Sequence, residues 1–370
     1  MKQMLIRAYS RIDGISILAA LLLFLSSCSQ KNTIQSPFFT TLNSKQTGID
    51  FTNLMKPTPQ FNLFSYMYYY NGAGVGAGDF NNDGLIDLFF TANQGDNKLF
   101  VNKGQLKFDD ITAAANIPQD SGWSTGVSVV DINNDGLLDI YVCKVGHYKT
   151  LTSKNQLLVC KGINQQGIPF YKDEAADYGL DFSGFSTQAV FFDYDGDADL
   201  DMFLLNHSVN HDGNYAARKN FENTFDSLAG QKFYRNELSK DATGKTIGRF
   251  TDVTRQAGIN GNKIGYGLGV AVADINLDGW PDFYVGNDFH ENDYLYINQK
   301  NGTFTEETTS RLMHTSQFSM GVDVADVNND AYPDIISMDM LPYDPYMLRR
   351  SLAEDDYTIF QQKIDRRAHV

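Results

Sequence analysis

Asp79-Phe-Asn81-Asn-Asp83-Gly84-Leu-Ile-Asp87 decides the fold, because the same nine-residue pattern returns four more times. The later copies are Asp131-Ile-Asn133-Asn-Asp135-Gly136-Leu137-Leu-Asp139 and Asp193-Tyr-Asp195-Gly-Asp197-Ala198-Asp199-Leu-Asp201. Asp274-Ile-Asn276-Leu-Asp278-Gly279-Trp280-Pro-Asp282 and Asp326-Val-Asn328-Asn-Asp330-Ala331-Tyr332-Pro-Asp334 complete the set. The first aspartates are 52, 62, 81 and 52 residues apart. The longest interval holds a polar insertion, roughly His207 to Lys245.

The flanks recur with the loops. An apolar, β-prone run follows each one, as in Leu88-Phe-Phe, Ile140-Tyr-Val and Phe283-Tyr-Val. A second run ends on asparagine: Asn97-Lys-Leu-Phe-Val-Asn102, Asp293-Tyr-Leu-Tyr-Ile-Asn298 and the shorter Phe233-Tyr-Arg-Asn236. In Asn155-Gln-Leu-Leu-Val-Cys160 a cysteine takes that last place. A third element such as Phe108-Asp-Asp-Ile-Thr112 or Phe250-Thr-Asp-Val-Thr254 comes next, then a glycine-rich strand such as Tyr266 to Ala273. Four short strands in every 50–60 residues predict an all-β chain, a β-propeller of four-stranded blades with hairpin loops between strands. Helix is expected only in the leader and the tail.

The loop chemistry points to a hard cation. Aspartate or asparagine at positions 1, 3 and 5 can direct oxygens into one concavity. Position 6 turns the chain and wants glycine. Position 7 offers a carbonyl, and the aspartate at position 9 closes the shell. The candidate ligands are therefore Asp79, Asn81, Asp83, Leu85 and Asp87; Asp131, Asn133, Asp135, Leu137 and Asp139; and Asp193, Asp195, Asp197, Asp199 and Asp201. The last two sets are Asp274, Asn276, Asp278, Trp280 and Asp282, and Asp326, Asn328, Asp330, Tyr332 and Asp334. Six or so oxygens suit Ca²⁺ better than Mg²⁺, Zn²⁺ or Fe²⁺. About one structural Ca²⁺ per loop is expected. A hairpin of Asx turns without metal would explain one copy, but five copies at one strand junction favour the ion. Ala198 and Ala331 at position 6 make the third and fifth sites the weaker ones, since a Cβ there is strained if φ is positive.

The N-terminus reads as an address. Lys2, Arg7 and Arg11 precede an apolar run from Ile15 to Leu25, too short for a membrane span. Leu25-Ser-Ser-Cys28 follows, like a bacterial lipobox with Cys28 as the lipidated residue. The expected organisation is a signal peptide at 1–27, a lipid-anchored tether at 28–37, a propeller at 38–345 and a charged tail at 346–370. The chain is then exported and anchored, in the outer membrane or at the cell surface. Cys143 and Cys160 fall on neighbouring strands, so a disulfide and two buried thiols both remain open. Of 370 residues, 42% are hydrophobic and the net charge is −15, which argues against a nucleic-acid partner.

The five loops and their flanks resemble FG-GAP/VCBS repeats, the calcium-loop blades also found in integrin α-chain propellers. Tyr70-Asn-Gly-Ala-Gly-Val-Gly, Gly286-Asn-Asp-Phe-His-Glu-Asn-Asp293 and Asp339-Met-Leu-Pro342 resemble bacterial lipoproteins related to cartilage acidic protein, the ASPIC/UnbV group. The resemblance covers about residues 38–345. It implies a Ca²⁺-binding propeller outside the cytoplasm in a binding or adhesion setting, and no settled enzymatic activity. The fifth unit departs from it, lacking its asparagine and Phe-x-Asp-x-Thr elements after Asp334, which suggests blades missing at the C-terminal end. Phe39-Thr-Thr-Leu and Thr47-Gly-Ile vaguely resemble the missing element and are expected to close the ring by pairing into the last blade.

The functional expectation is a binding module for a protein or glycan. The alternative is an extracellular polysaccharide hydrolase or lyase on the same scaffold, needing an acid, base or nucleophile outside the loops. His207 and His211 sit four apart in the insertion and are expected to be solvated. His290, beside Asp288 and Glu291, is placed for ligand contact. Tyr68, Tyr69 and Tyr70 suit a strand core better than a sugar platform.

Overall fold

The computed structural model describes residues 39–209, 221, 224–240, 246–289, 291–340 and 344–347. The leader, Cys28, His211, His290, His369 and the far end of the tail lie outside them. The chain divides after Asn43, and everything below concerns the unit that begins at Ser44.

Sheet 1 contains β1 (Val75–Gly78), β2 (Asp87–Phe90), β3 (Lys98–Asn102) and β4 (Phe108–Asp110). Sheet 2 contains β5 (Ser124–Val130), β6 (Asp139–Lys144), β7 (Gln156–Ile163) and β8 (Pro169–Asp173). Sheet 3 contains β9 (Ser186–Phe192), β10 (Asp201–Asn206), β11 (Lys232–Arg235) and, after a small hairpin of β12 (Ser239–Lys240) and β13 (Thr246–Ile247), β14 (Thr251–Asp252). Sheet 4 contains β15 (Gly267–Ala273), β16 (Asp282–Asn287), β17 (Tyr294–Asn298) and β18 (Phe304–Glu306). Sheet 5 holds only β19 (Ser319–Ala325) and β20 (Asp334–Asp339). Every sheet is an antiparallel meander in chain order. Each aspartate loop joins the first strand of its sheet to the second.

The inner strands β1, β5, β9, β15 and β19 lie side by side in sequence. The sheets therefore stack face to face, as propeller blades do. Apolar layers fill the spaces between them. Phe89 of sheet 1 packs with Val127, Ile140 and Val142 of sheet 2. Tyr141 and Cys143 of sheet 2 meet Ala189, Met202 and Leu204 of sheet 3. Phe203 and Leu205 meet Phe283 and Val285 across the next space. The middle strands β6, β10 and β16 are buried along their whole length because both of their faces are covered. That explains why their sequences read as continuous apolar runs rather than alternating ones.

Two expectations are corrected. Helix is not confined to the ends, because one-turn helices occur at α1 (Ser44–Thr47), α2 (Ala175–Tyr178) and α3 (Thr308–Arg311). Thr47-Gly-Ile does not pair into the last blade, since among the described residues β20 pairs with β19 alone. Instead Gly48, at φ +82°, backs onto the Phe108 carbonyl, as Gly179 backs onto Phe250 and Gly258 onto Phe304. Residues 44–48 are thus a blade-ending cap placed against sheet 1. Of the two readings left open for Cys143 and Cys160, the structure takes the second, since both are free and buried. Cys143 faces sheet 3 and Cys160 faces sheet 1, so one sheet separates their sulfurs.

The asparagine signature has a structural reason. Asn102 and Asn236 donate their side-chain amides to the position-8 carbonyls of Ile86 and Leu200, at 3.0 and 3.2 Å. Asn298 does the same for Pro281 at 3.3 Å. Cys160 cannot, and in sheet 2 the Tyr171 hydroxyl reaches the Leu138 carbonyl instead, at 3.1 Å. Tyr171→Phe should therefore cost about 1–3 kcal/mol by stranding a buried acceptor. Adding Cys160→Asn should recover part of the loss. Urea midpoints of the single and double variants test this; no recovery would mean that the tyrosine acts through packing alone.

Candidate metal loops and the axial cavity

The loops are shaped by their own hydrogen bonds. In the first, Asp79 accepts from the amides of Asp83 and Gly84, at 3.0 and 2.8 Å. Asp131, Asp274 and Asp326 accept in the same pattern from positions 5 and 6. Asp193 takes the amides of Gly196 and Ala198. Each position-5 aspartate accepts from the position-7 amide, as Asp135 does from Leu137 at 3.0 Å. These bonds fix the first and fifth carboxylates of each loop against its own backbone.

Position 6 is left-handed in all five loops: Gly84, Gly136 and Gly279 at φ +85°, +82° and +87°, Ala198 and Ala331 at +70° and +68°. Ala331→Gly and Ala198→Gly should each stabilise the chain by roughly 0.5–1 kcal/mol, because glycine carries no Cβ penalty there. Thermal melting would check it, and a loss of stability would contradict it. Position 4 is left-handed too, at Asn82, Asn134, Gly196, Leu277 and Asn329. Sequence reasoning missed that position, although asparagine in three copies and glycine in a fourth are its signal.

The aspartate at position 9 does more than expected. Asp87, Asp139, Asp201 and Asp282 are fully buried. Each bridges its own loop to the third strand of its sheet. Asp139 accepts from Ile132 at 3.0 Å and from Cys160 at 2.7 Å. Asp87 serves Phe80 and Asn102, Asp201 serves Tyr194 and Asn236, and Asp282 serves Ile275 and Asn298. In Asp87, Asp139 and Asp201 each oxygen keeps a lone pair free for an ion, whereas Asp282 Oδ2 also accepts from the Asn276 amide at 3.3 Å. Asp334 accepts from Val327 at 3.1 Å, and its sheet has no third strand among the described residues.

Burial pushes Asp139 up to about 7 and Asp201 up to about 8, with neighbouring loop aspartates adding to the shift. Burial also raises Asp87, Asp282, Asp195 and Asp199. A divalent cation would oppose every one of these shifts. The unpaired atoms agree in kind. Asn133 Oδ1, Asp195 Oδ1 and Asp199 Oδ1 are buried acceptors without a hydrogen-bond partner. One oxygen each from Asp193, Asp195 and Asp197 converges within 4.8 Å. The donor set is all oxygen, so it fits Ca²⁺. The fourth loop differs, because Lys300 Nζ lies 3.4 Å from Asp278 Oδ2 and competes there.

A second feature lies at the other end of the inner strands. Bulges where these strands begin bring Thr125, Thr187, Leu268 and Met320 around a cavity of about 370 Å³. The turn-rich segment 61–70 closes over it and packs Phe61, Tyr66 and Tyr69 against Trp123. Tyr68 and Tyr69 are buried here, in turns rather than strands, while Tyr70 is exposed. His207 is also here. The solvated loop histidine expected from sequence is 2% exposed, directly after β10, where it bridges to Tyr266. Its Nε2 lies 2.9 Å from the Tyr66 hydroxyl and its Nδ1 3.1 Å from Thr187 Oγ1. Burial lowers its pKa to about 3, so it is neutral. Tyr68 donates to Asp288 at 3.2 Å, and burial lifts Asp288 to about 6.

Comparison with known proteins agrees with the repeat reading. An FG-GAP-like repeat model matches residues 79–142 and 274–337. Integrin alpha-3 of Mus musculus is 29% identical over 97 residues, 23% of this chain and 9% of that protein. Integrin alpha-6 of Gallus gallus is 41% identical over 81 residues, 19% of this chain and 8% of that one. Cartilage acidic protein 1 of Homo sapiens is 28% identical over 137 residues, 36% of this chain and 20% of that one. The matches thus span at most a fifth of these relatives. The chain carries FG-GAP-like repeats and is similar to integrin α chains and cartilage acidic proteins.

Proposed function

We propose that the chain is a calcium-stabilised β-propeller segment that serves as a binding or adhesion module for an extracellular protein or glycan. The carrying observation is the fivefold loop, preorganised by its own amides, with unpaired buried acceptor oxygens in the second and third copies. Similarity to integrin α chains supports the binding role. Export and anchoring through Cys28 complete the reading, with the outer membrane or cell surface as location. No helix among the described residues is long and apolar enough to cross a membrane.

The arrangement nearest to an acid–base pair is His207 with Tyr66. Their mutual bond and burial favour a packing role over proton transfer to a substrate.

Equilibrium dialysis with Ca²⁺, followed by glycan and protein arrays with and without chelator, tests the proposal. Three to five bound ions and calcium-dependent capture are expected. No bound ion would overturn the metal reading. Turnover of a polysaccharide on the array would move the chain to the enzyme class.

A further inference from the structure

The cavity under residues 61–70 is built from two repeat positions. Six residues before each loop's first aspartate stand Ala73, Thr125, Thr187, Leu268 and Met320. Five before it stand Gly74, Gly126, Gln188, Gly269 and Gly321. All ten line the cavity. Glycine keeps the space open at four of the latter positions, and Gln188 alone carries a side chain there. Its amide takes the room that a Cβ at Gly126 would need. The polar side chains at these positions come from sheets 2 and 3, while Leu268, Val270, Met320 and Val322 of sheets 4 and 5 supply an apolar wall. Among the described residues no charged side chain lines the cavity. Asn71 and Ala73 of its lining are exposed, which leaves it an entrance.

The polar side holds one hydrogen too many. Tyr66, His207 and Thr187 form a chain of two contacts, from the Tyr66 hydroxyl to Nε2 at 2.9 Å and from Thr187 Oγ1 to Nδ1 at 3.1 Å. The neutral imidazole carries one hydrogen, and each hydroxyl carries one. Two contacts consume two of the three. Tyr66 is 2% exposed and Thr187 is half-buried, so an incoming ligand meets the spare hydrogen on Thr187. Thr187 is also the bulged residue of β9, skipped between the pairs Gln188↔Leu205 and Ser186↔Asn206. Strand alternation would send Thr187 and Gln188 to opposite faces, and the bulge brings both to the cavity. Gln188 donates its Nε2 to the Val127 carbonyl at 3.4 Å, and its Oε1 accepts from no described residue. The neighbouring hydroxyls are committed: Thr125 to the Cys143 and Ser186 carbonyls, Tyr68 to Asp288. One unused donor and one unused acceptor therefore line the same cavity side by side.

We propose that this cavity binds one uncharged sugar ring through Thr187 and Gln188. A sugar hydroxyl donates and accepts at once, so it satisfies the Gln188 oxygen and the spare Thr187 hydrogen together. The C–H face of the ring suits the wall of Leu268, Val270, Met320 and Val322. A cavity of about 370 Å³ is of the size that small ligands occupy. A uronate or an amino sugar would bring a charge that nothing in the lining pairs. This site deepens the proposed glycan-binding role and rests on it; the aspartate loops take no part in it.

Titration calorimetry of the chain in Ca²⁺ with glucose, galactose, N-acetylglucosamine, glucuronate and glucosamine tests this. At least one of the three neutral sugars should bind saturably, about tenfold or more tighter than either charged one. Gln188→Gly should weaken that binding about tenfold or more and leave the melting temperature little changed, since glycine stands at the four equivalent positions. Thr187→Val should weaken it by a similar factor, and Thr187→Ser should retain it. If the glycine variant fails to fold, Gln188→Leu takes its place, keeping the bulk and removing the acceptor. No saturable binding of a neutral sugar would overturn the proposal. So would equal binding of the charged sugars, or binding that either the Gln188 or the Thr187→Val substitution leaves unchanged. Glycan-array capture that persists in Gln188→Gly, with no monosaccharide bound, would keep the binding role and move it elsewhere on the chain. Monosaccharide binding lost in Gln188→Gly, with nothing captured on the array, would keep this site and end the adhesion reading.

Discussion

Chelating divalent cations should lower the melting temperature of the chain by about 10 °C or more. Each loop with Ca²⁺ at a hundredfold excess over its dissociation constant contributes about 2.7 kcal/mol by mass action. A few such sites shift the midpoint of a large domain by that much. The sharpest form of the test uses the third loop, where Asp193, Asp195 and Asp197 converge within 4.8 Å. Without metal these carboxylates repel one another. Asp197→Asn should therefore raise stability in chelator and lower it in Ca²⁺. That change of sign separates a cation site from a merely acidic turn. An unchanged melting curve in chelator, with no inversion, would sink the calcium reading.

The second large effect concerns His207. Folded, it is neutral, with a pKa of about 3 because burial disfavours the imidazolium. Unfolded, it takes a proton below about 6.5. Between those values only the unfolded chain gains the proton, so stability falls as pH drops below 6.5. At pH 4 the loss amounts to about 3 kcal/mol relative to pH 8. Asp139 and Asp201 have the opposite sign. Their folded pKa values are raised to about 7 and about 8, so acidification toward the unfolded value near 4 favours the fold. Comparing the native chain with His207→Gln cancels that contribution, because both chains share it. Glutamine also keeps a partner for Tyr66. The difference between their urea midpoints should widen steadily from pH 6.5 to pH 4. A flat difference would mean that the imidazole titrates freely and that segment 61–70 does not seal the cavity.

The loops were legible because their information is local. The bonds that make the turn lie within nine residues: Asp79 to Gly84, Asp83 to Leu85, Phe80 to Asp87. The left-handed turn at position 6 could be expected even at Ala198 and Ala331, since their neighbours repeat the glycine-bearing copies. The strand order within each blade followed for the same reason, because consecutive short strands pair as meanders.

His207 was misjudged because its partners are remote. Tyr66 is 141 positions away, and no periodicity marks the contact. The bond that makes Tyr171 stand in for a missing asparagine likewise joins residues 33 apart. Sequence by itself determined the five oxygen-rich loops, the four-strand repeat and the apolar strands, since turn chemistry and side-chain alternation act over a few residues. Tertiary structure alone decided which face each cysteine takes, that the position-9 carboxylates lock loops to third strands, and that residues 44–48 cap sheet 1. The physical reason is that these outcomes depend on blade-to-blade stacking, where burial and unpaired polar atoms are settled only after the sheets meet.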